Sequence, residues 1–169
     1  MDVAVFVVKH FRAHINLQSD ADVPLVAGIE AAQHHVPWSA QSFADALRCG
    51  WHCRVLKDAA DQLLGYCVTM TAGDDEELLT ITVRPDAMGH GYGKQLMQEV
   101  LAGARLRQAS QIFLEVRESN RVAISLYEQM GFKMTGMRKN YYPTPADPIQ
   151  QLPAGREHAL LMSLSLEQA

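Results

Sequence analysis

The stretch Leu78–Lys94, with the sequence LLTITVRPDAMGHGYGK, decides the fold of this 169-residue chain. It opens with a strand-like run, Leu78–Val83, and passes through a proline into a turn with three alternating glycines. A helix pattern with one apolar face follows from Gly93 to about Arg107. Glycines let a ligand approach the backbone, and a helix start directs amide groups and a positive dipole end at an anion. The order of strand, glycine turn and helix therefore predicts a diphosphate site, although three glycines alone also fit a plain flexible loop.

A second buried strand and a second helix come next along the chain. Ile112–Val116 is apolar almost throughout, which is typical of a central strand covered on both faces. The helix that follows runs from about Asn120 to Met130. This pair of elements supplies the carboxylate of Glu115, the amide of Asn120 and the phenol of Tyr127 close in sequence to the predicted anion site.

The rest of the chain predicts two more helices and further strands. The helices are Asp20–Ala32, which Ser19 and Asp20 can cap, and Gln41–Arg48. A long proline-rich loop, Tyr141–Gly155, is a candidate functional segment. The strand of the opening stretch extends over about Glu77–Val83, and the other predicted strands are His14–Leu17, His52–Lys57, Leu63–Thr71, Lys133–Lys139 and Glu157–Leu166, with Met1–Arg12 as an extra strand or arm. The fold class is a mixed α/β (α+β) domain over residues 1–169, with a mostly antiparallel twisted sheet and helices on both faces.

Composition and charge exclude several classes of protein. Hydrophobic residues make up 48% and charged residues 20% of the chain, as in ordinary globular proteins. A net charge of −4 without charge runs gives no electrostatic footprint for direct nucleic-acid binding. No apolar run approaches the roughly 20 residues that span a membrane. The segment Met1–Val8 contains Asp2 and no basic start, so a cytoplasmic location is expected.

The three cysteines raise the question of a metal site. Cys49 and Cys53 lie close in sequence to His52, and His34 and His35 are further candidate ligands. Zinc sites normally show paired ligand spacings, which are missing here. Free, largely buried thiols and no metal are therefore predicted.

Glu115 and Tyr127 each allow a structural and a catalytic interpretation. A carboxylate in an apolar strand needs a partner, a raised pKa or water, so Glu115 can form an ion pair with Arg117 or Arg138, or act as a base. Tyr127 lies on the apolar side of its helix, and taken alone it fits a core aromatic residue. Asn120 is well suited to cap the helix that it precedes.

The glycine turn resembles the coenzyme A signature of the Gcn5-related N-acetyltransferase superfamily, Gln/Arg-x-x-Gly-x-Gly/Ala. Gly91 and Gly93 match its glycines, whereas Met88 stands where Gln or Arg is usual and Gly89 where a basic residue is common. Within the superfamily the chain is similar to the bacterial ribosomal-protein-alanine N-acetyltransferases (RimI type) from about Asn16 to Leu164. The matching blocks are Pro37–Ser39, Leu114–Asn120, Ala123–Glu128, Gly131–Phe132, Arg138–Thr144 and Gly155–Glu157. The loop Pro145–Ala154 is longer than the join that is usual in that family.

The resemblance implies acetyl-coenzyme A as cosubstrate and the N-terminal alanine of a small-subunit ribosomal protein as acceptor. It makes Glu115 the general base and Tyr127 the acid that protonates the leaving thiolate. Asn120 bonds the pantetheine arm in addition to its capping role. The implied cofactor contacts are Ile81, Thr82 and Val83 by backbone pairing with the pantetheine, and Gly89, His90, Gly91, Tyr92, Gly93 and Lys94 at the diphosphate. The acceptor entrance is assigned to Trp38, Tyr141 and Tyr142, with core packing an equal alternative for Trp38.

Two other functions stay open at this point. The enlarged Pro145–Ala154 loop also fits an acetyltransferase for a small-molecule amine or a lysine. Met88 and Gly89 also fit a degraded donor site in a non-catalytic acyl-coenzyme A-binding module. Retention of both Glu115 and Tyr127 argues against the non-catalytic alternative.

Overall fold

The computed structural model describes residues 13–17, 19–147, 149 and 153–166, which form one seven-stranded sheet and four α-helices. The predicted arm Met1–Arg12 lies outside the described residues. The helices are α1 Val23–Gln33, α2 Ala40–Arg48, α3 Tyr92–Leu106 and α4 Arg121–Gln129. The strands are β1 His14–Leu17, β2 His52–Lys57, β3 Leu63–Ala72, β4 Asp75–Val83, β5 Gln111–Arg117, β6 Lys133–Thr144 and β7 Gly155–Ser165. Within the described part of the chain, no helix is long and apolar enough to cross a membrane.

The sheet has the order β1-β2-β3-β4-β5-β7-β6, and the β4–β5 pair is parallel while all other neighbours are antiparallel. Helices α3 and α4 contribute buried residues such as Leu96, Met97 and Ile124 to the core on one face. Helices α1 and α2 contribute Val26 and Phe43 to a second core on the other face. The predicted mixed, mostly antiparallel sheet with helices on both faces is confirmed.

The two central strands part halfway along their length. The parallel pairing of β4 with β5 ends at Leu78 and Leu114, whereas β4 continues beside β3 as far as Val83 opposite Gly65. A Cβ atom on Gly65 would lie 2.6 Å from the Thr82 carbonyl oxygen, so only glycine permits this close strand approach. A gap therefore opens in the sheet on the β5 side of Ile81–Val83.

Strand β5 differs from the predicted strand in one respect. Its burial alternates, with Ile112, Leu114 and Val116 buried and Phe113, Glu115 and Arg117 only half-buried. The alternation arises because α1 and α2 pack on β2, β3 and β4 and leave this face of β5 uncovered. The prediction of a strand covered on both faces was wrong, and Glu115 lies on the open face.

The predicted loop Tyr141–Gly155 is shorter than expected, because β6 continues to Thr144 and β7 already begins at Gly155. A bulge shifts the register between Arg138 and Tyr142, and Asn140 adopts a left-handed φ of 51° within it. The Arg156 guanidinium stabilises the bulge by donating hydrogen bonds to the carbonyls of Asn140 and Tyr141, at 2.7 and 2.6 Å. Pro143 is tolerated because β6 is an edge strand.

The first predicted helix also begins later than expected. Asp20–Asp22 forms a 3₁₀ turn, and the α-helix starts at Val23. Pro24 lacks an amide hydrogen, so the α-helical hydrogen bond that this position would donate to Asp20 is missing. The predicted side-chain cap is not formed, because the Ser19 amide and hydroxyl both donate to the Asp22 carboxylate instead of the hydroxyl accepting a helix amide.

Candidate active site

Two clefts meet at the gap between β4 and β5. The first, which we call the glycine-turn cleft, has a volume of about 480 Å³ and is lined by Thr82–Val83, the turn from Met88 to Gly93 and the start of α4. The second, the aromatic cleft, has a volume of about 350 Å³ and is lined by Trp38, Glu115 and the Tyr141–Pro143 segment, among others. Both clefts share the residues His34, Ile81, Arg117, Asn120 and Tyr127. A ligand in either cleft would therefore meet a ligand in the other at these five residues.

The free edge of β4 faces the glycine-turn cleft. The Arg84 amide donates to the Leu64 carbonyl at 2.7 Å, so Arg84 directs its hydrogen-bonding groups toward β3. In an antiparallel ladder the alternate residues Val83 and Ile81 direct theirs to the opposite edge. The Gln33 side-chain amide bonds the Val83 carbonyl from α1. Of the predicted pantetheine contacts, Ile81 and Val83 thus offer backbone groups to the cleft, and Thr82 lies between them.

The glycine turn presents backbone amides rather than side chains. Gly89 and Gly91 have φ values of +77° and +83°, and a Cβ built on either meets nothing within 4 Å. The first helical bond of α3 is donated by Gln95 to Gly91, so the amides of Tyr92, Gly93 and Lys94 have no acceptor within the helix. These amides at a helix start form a site suited to an anion.

Not every side chain of this turn lines the glycine-turn cleft. The His90 ring is held against the Met88 carbonyl, with Nδ1 2.9 Å from that oxygen, and it stacks on Tyr92. The side chains of His90 and Lys94 are exposed and do not line the cleft, whereas Met88 does line it. The contribution of His90 and Lys94 stays a prediction, and their backbone amides rather than their side chains are the groups that would make it.

Glu115 forms an ion pair and also lines the aromatic cleft. Its Oε1 lies 3.0 Å from Nη2 of Arg138, and its side chain is 22% exposed. The alternative partner Arg117 is instead paired with Glu157, at 2.8 Å. A further depression of about 440 Å³, lined by Phe113 and Arg138 among others, also reaches Glu115. The carboxylate is thus paired and open to water, so the structural and the catalytic interpretations are compatible.

Tyr127 is buried in the core and reaches both clefts. Its side chain packs against Phe132, with ring centroids 5.9 Å apart, and the residue is 5% exposed. Burial, with a smaller contribution from Tyr142, raises the pKa of the Tyr127 phenol well above its ordinary value. The phenol is therefore protonated at neutral pH, and the raised pKa also makes it a weaker acid than an ordinary tyrosine. Asn120 caps α4 as predicted, because its Oδ1 accepts the Ala123 amide at 3.1 Å.

The predicted aromatic residues gather around the aromatic cleft. Trp38 packs on Phe43 and Trp51, with centroid distances of 5.4 and 6.3 Å, and one side of it lines the cleft. Tyr141 and Tyr142 meet edge to face at 5.0 Å on the opposite element, β6. Burial raises the pKa of Tyr142, and the nearby charge of Glu115 adds to that effect. Trp38 therefore serves both core packing and the cleft wall.

Glu30 and His34 also line the aromatic cleft, although no sequence motif predicts a role for them there. Glu30 is 2% exposed and accepts hydrogen bonds from the Tyr66 hydroxyl and, at 3.1 Å, from the Trp38 amide. Nε2 of His34 lies 3.3 Å from Glu30 Oε2 and 3.0 Å from Thr82 Oγ1. One available signal is that Glu30 falls four residues after Val26, on the apolar side of α1.

The cysteines are distributed between core and surface. Burial raises the pKa of Cys53 to about 11 and that of Cys67 to about 12, so both remain neutral thiols. Cys49 is exposed, so two of the three free thiols are buried, in agreement with the predicted free, largely buried thiols. Among the described residues, no three histidine, cysteine or acidic side chains group closely enough to hold a metal ion.

Comparison with known proteins identifies the family. The model of the Acetyltransferase (GNAT) family matches residues 23–132. The [ribosomal protein bS18]-alanine N-acetyltransferase of Salmonella typhimurium is 33% identical over 153 residues, which are 90% of this chain and 97% of the relative. The crystal structure of the ribosomal-protein-S18-alanine N-acetyltransferase from Escherichia coli has a TM-score of 0.82 and 31% identity, and the match covers 93% of this chain and 96% of that one.

A further solved structure shares the fold at low sequence identity. It is that of yncA from Salmonella typhimurium with its cofactor acetyl-CoA, and its TM-score is 0.71 at 16% identity over 93% of this chain and 95% of that one. The family predicted from the glycine turn and the matching blocks is confirmed. The chain belongs to the GNAT family of acetyltransferases, which use acetyl-coenzyme A.

Proposed function

We propose that this acetyltransferase moves the acetyl group of acetyl-coenzyme A to the N-terminal amine of a protein, and that its acceptor is the N-terminal alanine of a small-subunit ribosomal protein. The observation that carries the proposal is the junction of the two clefts at Tyr127, with Glu115 on the wall of the aromatic cleft. The Salmonella typhimurium and Escherichia coli relatives act on an alanine of ribosomal protein S18. Their high coverage of this chain supports the same acceptor class here.

The donor occupies the glycine-turn cleft in this proposal. Its diphosphate lies on the amides between Gly89 and Lys94, where two glycines leave the backbone open. Its pantetheine arm pairs with the free edge of β4 at Ile81 and Val83, and Asn120 bonds it from α4. A pantetheine amide that bonds the Val83 carbonyl displaces the Gln33 side chain from that oxygen.

The acceptor enters through the aromatic cleft, between Trp38 and the Tyr141–Tyr142 pair. Its amine attacks the thioester carbonyl, so a C–N bond forms and the C–S bond breaks. Glu115 receives a proton from the nitrogen, and Tyr127 gives a proton to the departing sulfur. A backbone amide near Val83 stabilises the oxyanion. Holding both reactants at one junction lowers the entropic part of the barrier.

Competition between acceptors tests the proposal. The protein is incubated with acetyl-coenzyme A and three acceptors: an alanine-starting ribosomal peptide, its N-terminally blocked twin with an internal lysine, and a panel of polyamines. We expect acetylation of the free alanine terminus, because an α-amine with a pKa of roughly 7.7–8.0 provides far more neutral nucleophile at pH 7 than a lysine at about 10.4. Mass spectrometry reads out the products. Efficient acetylation of the blocked peptide or the polyamines, with the alanine terminus ignored, would support the small-amine or lysine alternative instead.

A further inference from the structure

The acceptor nitrogen must lose two protons during the reaction, and only one residue has been named to receive them. An acceptor amine is largely an ammonium ion at neutral pH, so its nitrogen loses two protons on becoming an amide. The first leaves before attack, and the second leaves as the tetrahedral adduct collapses. Tyr127 returns one proton to the sulfur, and one is released overall. The roles proposed above, on which this inference rests, name only Glu115 as an acceptor for two protons.

His34 lies where a second acceptor is needed. It lines both clefts at their junction, and its side chain is 37% exposed. It comes from the C-terminal end of α1, whereas Glu115 comes from β5. An imidazole is the side chain most often used for proton transfer near neutral pH.

The neighbours of His34 hold its ring in place. Nε2 lies 3.3 Å from the Glu30 carboxylate and 3.0 Å from the Thr82 hydroxyl, which can donate or accept. Within the described part of the chain, Nδ1 makes no hydrogen bond. Nδ1 is therefore the ring nitrogen that is left available for proton exchange.

The ring of His34 lies beside the buried carboxylate of Glu30. Glu30 accepts hydrogen bonds from the Tyr66 hydroxyl on β3 and from the Trp38 amide, and its Oε2 lies 3.3 Å from the His34 ring. His34 thus faces a carboxylate, whereas Glu115 faces the guanidinium of Arg138. The two groups are thus suited to different steps.

We propose that His34 takes the first proton, converting the bound ammonium into the attacking amine, and that Glu115 takes the second as the C–N bond is completed. Glu30 and Thr82 are positioning residues for the ring. The proton on His34 passes to solvent through the open cleft after the products leave. Tyr127, which protonates the sulfur, recovers its proton from the one that Glu115 received, and the balance closes at one proton released.

The pH dependence of a His34→Gln variant tests the assignment. Glutamine can keep an N–H donor near Glu30 but cannot accept a proton. We expect kcat/KM for the acceptor to fall about five- to tenfold at pH 7, where roughly a tenth to a sixth of an α-amine is neutral, and by less than about twofold at pH 9.5, where an α-amine is almost fully neutral. The other titratable or charged groups facing this junction are Glu30, His35, Tyr66, Glu115, Arg117, Tyr127, Tyr141 and Tyr142.

Glu115→Gln provides the matched control. Its defect should be similar at both pH values, because the second proton must leave the adduct whatever the state of the free amine. The acceptor is whichever amine the wild-type enzyme acetylates, so failure of the alanine assignment leaves this test intact. A loss in His34→Gln of the same size at both pH values would reduce His34 to a structural residue and overturn the proposal.

A second variant covers the case in which His34→Gln is poorly folded. His34→Ala leaves space in an open cleft, and added imidazole should restore most of the lost rate at pH 7, with little effect at pH 9.5. Calorimetric titration with acetyl-coenzyme A checks that the donor site is intact in each variant. Absence of imidazole rescue in a folded His34→Ala enzyme would also contradict the assignment.

Discussion

Arg138 links Glu115 to the wall of the aromatic cleft. Its guanidinium lies 3.0 Å from the carboxylate and 5.2 Å from the centroid of the Tyr141 ring. Arg117 has a similar position on the neighbouring ring, 4.4 Å from the Tyr142 centroid, and it is paired with Glu157. Two arginine–aromatic contacts thus hold the tyrosines of β6 next to the proposed base. Glu115 is kept in place by a partner that is half-exposed, so water still reaches it.

Substitutions of Glu115 and Tyr127 can separate their proposed catalytic roles from their roles in packing. Glu115→Gln and Tyr127→Phe should each lower turnover by roughly 10²–10⁴-fold, the usual effect of removing a positioned acid or base. Phenylalanine keeps the ring contact with Phe132, so the core survives and only the proton donor is lost. Affinity for acetyl-coenzyme A should change little, because neither group holds the donor in the ground state.

Steady-state kinetics and calorimetry on the same preparations check this prediction. Normal turnover of Tyr127→Phe would leave that tyrosine with a packing role only. Undiminished activity of Glu115→Gln would assign catalysis to proximity, the oxyanion site and any other proton acceptor.

At the scale of elements, the glycine turn and its helix can be tested without disturbing the sheet. Gly91→Val places a side chain in the open cleft at a φ of +83° and should weaken acetyl-coenzyme A binding by about tenfold or more, or 1.4 kcal/mol. Gly93→Val should act similarly, since a Cβ there already lies 3.4 Å from Leu126. Isothermal calorimetry measures both dissociation constants.

Gly73→Val is a matched control for the strain at Gly91. Gly73 has a φ of +66° in the β3–β4 turn, and a Cβ there also meets nothing within 4 Å. Its substitution should cost a similar 1–3 kcal/mol or so of backbone strain while acetyl-coenzyme A affinity stays unchanged. Equal affinities in wild type, Gly91→Val and Gly93→Val would remove the diphosphate from this turn.

The sequence predicts elements better than it predicts how far they extend. Helices and strands with a clear period are found within a few residues, because that period reflects a buried face that the fold must cover. Tyr141–Thr144 belongs to β6 because of a bulge at Asn140 and hydrogen bonds from Arg156, which is distant in sequence. No local pattern signals such a contact, so the strand was predicted as a loop.

In the candidate site, too, contacts between residues that are distant in sequence could not be predicted. Gly91, Glu115 and Tyr127 stand in short motifs and could be found from the sequence together with the family resemblance. The contact between His34 and Thr82 joins residues 48 positions apart, and that between Glu30 and Tyr66 joins residues 36 apart. These pairs depend on how α1 is placed over β3 and β4, which local periodicity does not specify.

At the scale of the whole molecule, the gap in the sheet results from two ladders that diverge. Strand β4 follows β3 to Val83, while β5 follows β7 to Arg117 opposite Ala159. The end of α1 and the start of α4 approach the gap from opposite faces, through Gln33 on one side and Asn120 on the other. The clefts therefore meet at a place where backbone groups are free and two helices supply side chains.

Glu157 on β7 forms contacts with β5 near this gap. The charge state of Glu157 should determine part of the stability of the fold at acid pH. The Glu157 carboxylate accepts hydrogen bonds from Arg117 at 2.8 Å and from the Ser119 amide at 3.0 Å, and so ties β7 to β5 and to the segment before α4. Burial opposes ionisation, but the hydrogen bonds from Ser119 and Arg117 outweigh it and hold the pKa of Glu157 below its ordinary value of 4.5.

Because its pKa is lower in the folded than in the unfolded state, Glu157 contributes its full stabilisation above pH 4.5 and loses it as the pH falls through the folded-state value. Glu157→Gln should therefore lower the free energy of unfolding by about 1–3 kcal/mol at pH 7 and by progressively less toward acid pH. Urea unfolding of both proteins from about pH 7 down to about pH 3 measures the difference.

Glu128→Gln is the control, since Glu128 is exposed on α4 and makes no ion pair with any described residue. A gap between wild type and Glu157→Gln that stays constant over this range would show that the lost contacts are steric and independent of charge.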